Sequence, residues 1–248
     1  MEKRKGCNLK TNTFAQEKYS RQTILKEIGY KGQEKLSQSK VIIIGVGALG
    51  TNTAELLTRA GIGSLTLIDV DQIEESNLQR QTLFVEKDVG KNKAEIAKEK
   101  LEKTNSLVKI EAKVIELNEN NREILKNADL ILDCTDNLET RFLINDYCKK
   151  NKKPWIYSSC VKTYGYVMPI LPEGPCLRCF LKQADLDSAC TSGIINTIPA
   201  SIAALQVTLA TKLLLKETVD PILYYYNIWN TEFKRLKIKK TCSFCIKN

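Results

Sequence analysis

KVIIIGVGALG, residues 40–50, is the stretch on which the reading of this chain turns. Apolar β-branched residues, Val41 to Ile44, break at Gly45-Val46-Gly47-Ala48-Leu49-Gly50, and a helix-like pattern continues to Ala60. That order reads as strand, glycine loop, helix. Gly45 suits a tight turn, Gly47 lets a phosphate approach the backbone, and Gly50 lets helix and strand pack closely. The free amides at the new helix's N-terminus favour an anion. The loop points to a nucleotide without saying which one.

Outward from the loop, strands and helices alternate. Strands are expected at 64–69, 108–114, 130–133 and 155–159, and helical pieces within 13–38, at 91–103, at 121–126 and at 139–150. Residues 74–81 read as a short polar helix or turn. The alternation implies an α/β fold with a doubly wound, mainly parallel sheet. Beyond Ser159 the texture changes. A longer strand is expected over 161–171, then a Pro/Gly/Cys knuckle at 172–179 and a polar loop at 181–192. A long helix over 194–215 and β-rich runs at 222–229 and 232–239 follow, expected to continue the sheet with antiparallel strands. No linker interrupts the chain. One domain is expected over 1–248: N-terminal helices (1–39), a nucleotide-binding half (40–160) and a second half (161–248).

Composition narrows the chemistry. With 248 residues and 43% apolar content, the chain can bury a sizeable core. The net charge is +9, but lysine is spread along the whole length, which favours a solvated surface over a nucleic-acid face. The start, MEKRKGCNLKTNTF, has no apolar core and is no signal peptide. The apolar run 194–215 carries Asn196, Thr197, Ser201, Gln206, Thr208, Thr211 and Lys212, as a buried helix does and a membrane span does not. A cytoplasmic protein that does not enter a membrane is expected. Nine cysteines in that setting argue for metal or thiol chemistry rather than disulfides. There is no histidine, which excludes a histidine base, a Ser-His triad and any imidazole-bound zinc.

Several residues stand where chemistry is expected. Asp69 ends the second strand, about 20 residues beyond the glycines, where a carboxylate holds a ribose hydroxyl. Asn77-Leu-Gln-Arg80-Gln81, with Lys93, can form a cationic clamp on a polyphosphate. Singly, Arg80 and Lys93 read as solvated surface charges. Asp133-Cys-Thr-Asp136-Asn137 closes a buried strand, and two acids there suit Mg²⁺. One of them could instead cap the next helix, and Asp133 reads as structural. The pairs Cys176/Cys179 and Cys242/Cys245 are C-x-x-C knuckles whose four thiolates match a closed, structural zinc site. Such a site would tie the end of the chain to the sheet across the long helix. Cys190, in the polar loop just before that helix, is either a nucleophile or idle. Cys7, Cys134, Cys148 and Cys160 read as buried or incidental.

In this order, GVGALG, LTLIDVD, SNLQRQTL, VGKNKAEIA, DLILDCTDN, PCLRC and CSFC resemble the HesA/MoeB/ThiF family, relatives of ubiquitin-activating enzymes. The resemblance runs from Arg21-Gln22 to Cys245 and implies a Rossmann-like adenylating domain. It implies MgATP-dependent adenylation of the C-terminal glycine carboxylate of a small ubiquitin-like sulfur-carrier protein ending in Gly-Gly, with pyrophosphate released. Such carriers serve molybdopterin, thiamine, tRNA-thiolation or cysteine pathways. The resemblance sets the Gly47 loop on the nucleotide, Asp69 on the ribose, Asn77, Arg80 and Lys93 on the phosphates and Asp136 on Mg²⁺. It implies that Arg21 reaches into the neighbouring subunit of a homodimer, that 161–248 binds the carrier, and that the four paired cysteines hold Zn²⁺. Cys190 matches a position that in some members links covalently to the carrier.

The missing histidine fits this activity. A C-terminal carboxylate, with a pKa of about 3.5, is already ionised and needs no general base. No rhodanese-like segment follows the second knuckle, so a separate sulfur-donor protein is expected. Three rival readings are an NAD-dependent dehydrogenase, a tRNA threonylcarbamoyladenosine dehydratase-like enzyme, and a zinc-stapled scaffold without catalysis.

Overall fold

The expected alternation is realised in a computed structural model that describes residues 17–181 and 192–246. Helices α1 (Ser20–Thr23) and α2 (Gly29–Gln38) precede β1 (Lys40–Ile44) and α3 (Ala48–Ala60). β2 (Ser64–Ile68), α4 (Lys93–Thr104), β3 (Lys109–Lys113), β4 (Leu130–Asp133) and α5 (Leu138–Lys150) follow. Then come β5 (Trp155–Val161), β6 (Tyr164–Ile170), α6 (Thr197–Leu214), β7 (Ile222–Asn227), β8 (Glu232–Lys237) and α7 (Ser243–Ile246). The strands form one sheet in the order β3-β2-β1-β4-β5-β6-β7-β8. Pairing is parallel from β3 to β5 and antiparallel from β5 to β8.

The strand order reverses between β1 and β4, and that reversal positions the site. β1 leads outward to β2 and β3, and the chain returns to lay β4 on the other side of β1. The diverging connections leave a crevice beyond the carboxyl ends of β1 and β4, where open α/β sheets bind ligands. Both strands are apolar almost without interruption because helices cover both faces. Val41 and Ile43 join α3, α4 and α6 in one core, while Ile42 and Ile44 join α5, Trp155, Met168 and the knuckle cysteines in the other.

The structure corrects several expectations. β5 runs on to Val161, and the chain reverses at Lys162-Thr163 with Lys162 at φ +54°, so the expected strand over 161–171 starts three residues late. The short helix expected over 121–126 forms one residue later and as a 3₁₀ helix, Arg122–Asn127. α6 is long and apolar enough to cross a membrane, with a mean hydropathy of 1.3, yet Ile198, Ile202, Ala203, Gln206, Val207 and Ala210 are buried against α3 and the sheet. The knuckle does not lie across this helix. Cys176 and Cys245 belong to the α5 core, on the opposite sheet face from α6.

Candidate nucleotide-binding site

The glycine loop is built as its sequence demands. Gly45 has φ +87°, and a Cβ there would sit 2.6 Å from the Cys134 carbonyl oxygen, so only glycine fits between β1 and β4. A Cβ on Gly50 would collide with the Gly45 carbonyl, which is why helix and strand can approach so closely. Gly47 differs from both. Its φ is −88°, and a Cβ would meet only Gln81 Nε2, at 3.7 Å. Gly47 is also the N-cap of α3 and offers no side-chain cap, so the first amides of the helix are open to an anion.

Two groups of side chains flank this opening. On the β2 side, Asp69 Oδ2 accepts the Val46 amide at 2.6 Å and Oδ1 accepts the Asp71 amide at 2.8 Å. Burial pushes the Asp69 carboxyl up, against the pull of these amides and of Lys93. Lys93 Nζ, nearly buried, lies 2.8 Å from Asp71 Oδ2. Arg80 donates to the Ser76 carbonyl at 2.8 Å. Asn77 is buried, and its Oδ1 accepts the Glu74 amide at 3.1 Å. Neither Lys93 nor Arg80 is therefore a freely solvated charge. Gln81 ends this segment over Gly47, and its buried Oε1 has no hydrogen-bond partner among the described residues.

On the β4 side, Asp136 is exposed at the strand end and Asp133 is fully buried. Asp133 faces Arg141 at 3.4 Å and is structural, as expected. Neither aspartate caps α5; Asn137 does, accepting the Thr140 amide at 2.8 Å. Burial pushes the Cys160 thiol up to about 12, against the pull of Arg141 and Arg80. Cys134 and Cys148 are buried. Cys7 and Cys190 lie outside the described residues.

Arg21 stands apart from the loop of its own chain. Gln22 Nε2 donates to the Ala60 carbonyl at 3.0 Å, and the Tyr19 ring packs on Gly61. Asn105 Nδ2 donates to Tyr19 Oη at 2.8 Å and to the Thr58 carbonyl at 2.7 Å. α1 is thus pinned at the C-terminal end of α3, whose 13 residues set it about 20 Å from Gly47.

Sequence reasoning missed the buried polar layer beneath the site. Gln206 Nε2 and Ser158 Oγ both donate to the Asp133 carbonyl, at 3.1 and 2.7 Å, and Thr53 Oγ1 donates to Gln206 Oε1 at 2.8 Å. Arg141 carried a legible signal: it shares a helical stripe with Ile144, Asn145 and Cys148, all buried.

The cysteine knuckles meet. The four sulfurs of Cys176, Cys179, Cys242 and Cys245 lie within 4.8 Å of one another, with Cys242 Sγ 3.5 Å from both Cys176 and Cys179. Sulfurs around tetrahedral zinc stand about 3.8 Å apart, given Zn–S bonds of about 2.3 Å. The donor set therefore fits Zn²⁺. Burial opposes ionisation of Cys179, yet hydrogen bonds from the main chain at Cys242, Thr241 and Cys176 hold its thiol down to about 6. Burial and the neighbouring sulfurs push Cys176 up. A dication would relieve that crowding.

Comparison with known proteins agrees with this architecture. The ThiF family model matches residues 19–245. The sulfur carrier protein ThiS adenylyltransferase of Bacillus subtilis (strain 168) is 42% identical over 87% of this chain, which spans 66% of that relative's length. The sulfur carrier protein adenylyltransferase of Thermus thermophilus is 33% identical over 92% of this chain and 90% of its own length. The crystal structure of E. coli MccB with ATP superposes with a TM-score of 0.79 at 26% identity, covering 92% of this chain and 74% of that one. With its sheet order, glycine loop and cysteine cluster, the chain belongs to the ThiF family, an adenylyltransferase family as these relatives are named.

Proposed function

We propose that this protein adenylates the C-terminal glycine carboxylate of a small ubiquitin-like sulfur-carrier protein, using MgATP and releasing pyrophosphate. One observation carries the reading: the start of α3 is uncapped and sterically open at Gly47, between Asp69 and Lys93 on one side and Asp136 on the other. A sulfur-carrier protein is named as the substrate of the Bacillus and Thermus relatives, and ATP is bound in the MccB structure.

In this reading Asp69 orients the ribose, and the α3 amides with Arg80 and Lys93 hold the phosphates. Asp71 holds the Lys93 ammonium by an ion pair at 2.8 Å. Asp136 would hold Mg²⁺, which supplies charge neutralisation on the phosphate oxygens. The carrier's carboxylate attacks the α-phosphate, one anion approaching another, so the work of the site is positioning and charge compensation. Arg21 is too far from its own Gly47 to join in. Its exposed side chain serves the site of a second subunit, and the active form is a homodimer. The carrier docks on the 161–248 half, where Trp229, Phe233 and Leu236 are exposed on and beside the β7–β8 hairpin. Cys190 acts only if a covalent link to the carrier forms, and Cys190→Ser with retained sulfur transfer would remove it from the scheme. The four cysteines hold a structural Zn²⁺, and the protein works in the cytoplasm.

The direct test is carrier-dependent ATP–pyrophosphate exchange. Loss of a charge-compensating group at the reacting phosphate costs roughly 10²–10³-fold. Asp136→Ala and Arg80→Ala are each expected to fall by that much with the fold intact. Near-normal exchange in Asp136→Ala would overturn its assignment to Mg²⁺.

A further inference from the structure

We infer that Arg141 is a positioning residue that holds the loop carrying Asp136 in register with the glycine loop. The inference rests on the reading of Asp136 as the magnesium ligand. Arg141 is only 3% exposed, and Asp133, its partner, is 0% exposed. A buried pair of this kind is weak as a source of stability, because desolvating both charges offsets their attraction. Asp133 Oδ2 and Arg141 Nε have no hydrogen-bond partner among the described residues, so each depends on the other across 3.4 Å.

What the pair grips is the residue next to Asp136. Asp133 Oδ1 accepts both the Thr135 amide, at 3.0 Å, and Thr135 Oγ1, at 2.7 Å. Arg141 Nη2 donates to the Thr135 carbonyl at 2.5 Å and to the Ser158 carbonyl at 3.4 Å. Its guanidinium lies over the Tyr157 ring, 5.2 Å from the centroid. Thr135 is therefore held by its amide, its hydroxyl and its carbonyl. Gly45 packs on the other side of the same backbone, where a Cβ would reach Cys134 O at 2.6 Å and Thr135 N at 3.0 Å. On the far side of Asp136, Asn137 is locked as the cap of α5. Asp136 is thus suspended between two fixed residues, and the Asp133–Arg141 pair fixes the one that also touches the phosphate loop. A lysine in place of Arg141 would keep the charge and lose the fork that spans Asp133, Thr135 and Ser158.

The test measures metal binding apart from turnover. Mn²⁺ binding to the enzyme–ATP complex is followed by the loss of the free Mn²⁺ EPR signal, and ATP binding in EDTA is measured separately. Groups that orient a metal ligand typically contribute about 10–100-fold to metal affinity. On that basis Arg141→Lys should raise half-saturating Mn²⁺ at least about tenfold, and Thr135→Val should raise it about threefold. Metal-free ATP binding should stay within about twofold in both, and added Mg²⁺ should recover part of the lost exchange. A folded Arg141→Lys that binds Mn²⁺ as the wild type does overturns the inference. So does one that loses metal-free ATP binding in the same proportion. If Arg141→Lys does not fold, unchanged Mn²⁺ binding in Thr135→Val overturns it. Asp136→Ala serves as the control: wild-type Mn²⁺ binding in that variant would show that the magnesium assignment itself is at fault.

Discussion

Gly45 and Gly47 stand two residues apart in one motif and serve different ends. Gly45 is required by the protein, since its φ and the Cys134 carbonyl both forbid a side chain. Gly47 is left open by the protein, since a methyl group would meet nothing closer than 3.7 Å. Gly45→Ala should therefore lower stability by about 2 kcal/mol or more in urea unfolding. Gly47→Ala should shift stability by less than about 1 kcal/mol. Its ATP affinity should fall at least about tenfold, because the methyl group occupies the space of a phosphate and removes more than 1.4 kcal/mol. Equal loss of stability in the two variants would contradict this division. The motif already assigns the turn to Gly45 and the close approach of a phosphate to Gly47; what it does not show is that the Cys134 carbonyl of the neighbouring strand end is what closes on Gly45. Arg141 was half legible, since its place on a buried stripe marks it as unusual, but its partner Asp133 lies across a loop.

At the scale of elements, the segment between β2 and α4 is held by one buried carboxylate. Asp88 caps its own 3₁₀ turn (Glu86–Asp88) by accepting the Val85 amide at 3.1 Å, and it pairs with Lys100 of α4. Burial works against its ionisation, but Lys100, the Val85 amide and Lys91 outweigh it and hold the carboxyl below its ordinary 3.8. With the folded value below the unfolded one, this stabilisation is full above about pH 4 and is lost as pH falls through the folded value. Asp88→Asn should cost about 1–2 kcal/mol at pH 7, and the difference from wild type should shrink as pH drops below 4. A cost independent of pH would show that shape, not charge, is what Asp88 contributes. Most elements were legible from their periodicity. The β5–β6 turn was not, because Lys162 and Thr163 are not turn-forming residues and Lys162 takes a positive φ only under the constraint of strand pairing.

Across the whole molecule, distant parts of the chain are brought to bear on one site. The knuckles tie the terminal Cys242–Cys245 turn to the α5 face of the sheet, away from the glycine loop. The protein should bind one zinc per chain, and chelation should lower Tm by roughly 5–10 °C, the equivalent of about 2–3 kcal/mol for a chain of this size. Exchange activity per folded molecule should survive at low temperature, and an unchanged Tm after zinc removal would argue against the site. Pinning of α1 at the far end of α3 makes a second prediction. Arg21→Ala and Asp136→Ala, each inactive alone, should regain up to about a quarter of wild-type exchange when co-refolded, because a mixed dimer holds one intact site. No recovery, with mixed dimers verified, would place Arg21 outside the partner's site.

The strand–loop–helix unit and the parallel half of the sheet can be read directly from the residue pattern. These follow from local periodicity, glycine sterics and spacing, which act over a few residues. Only the packed fold puts the knuckle opposite α6, Arg21 at the far end of α3 from the glycine loop, and Thr135 in the grip of Arg141 and Asp133. Those facts depend on which face of the sheet each crossover covers, and no short-range preference encodes that choice.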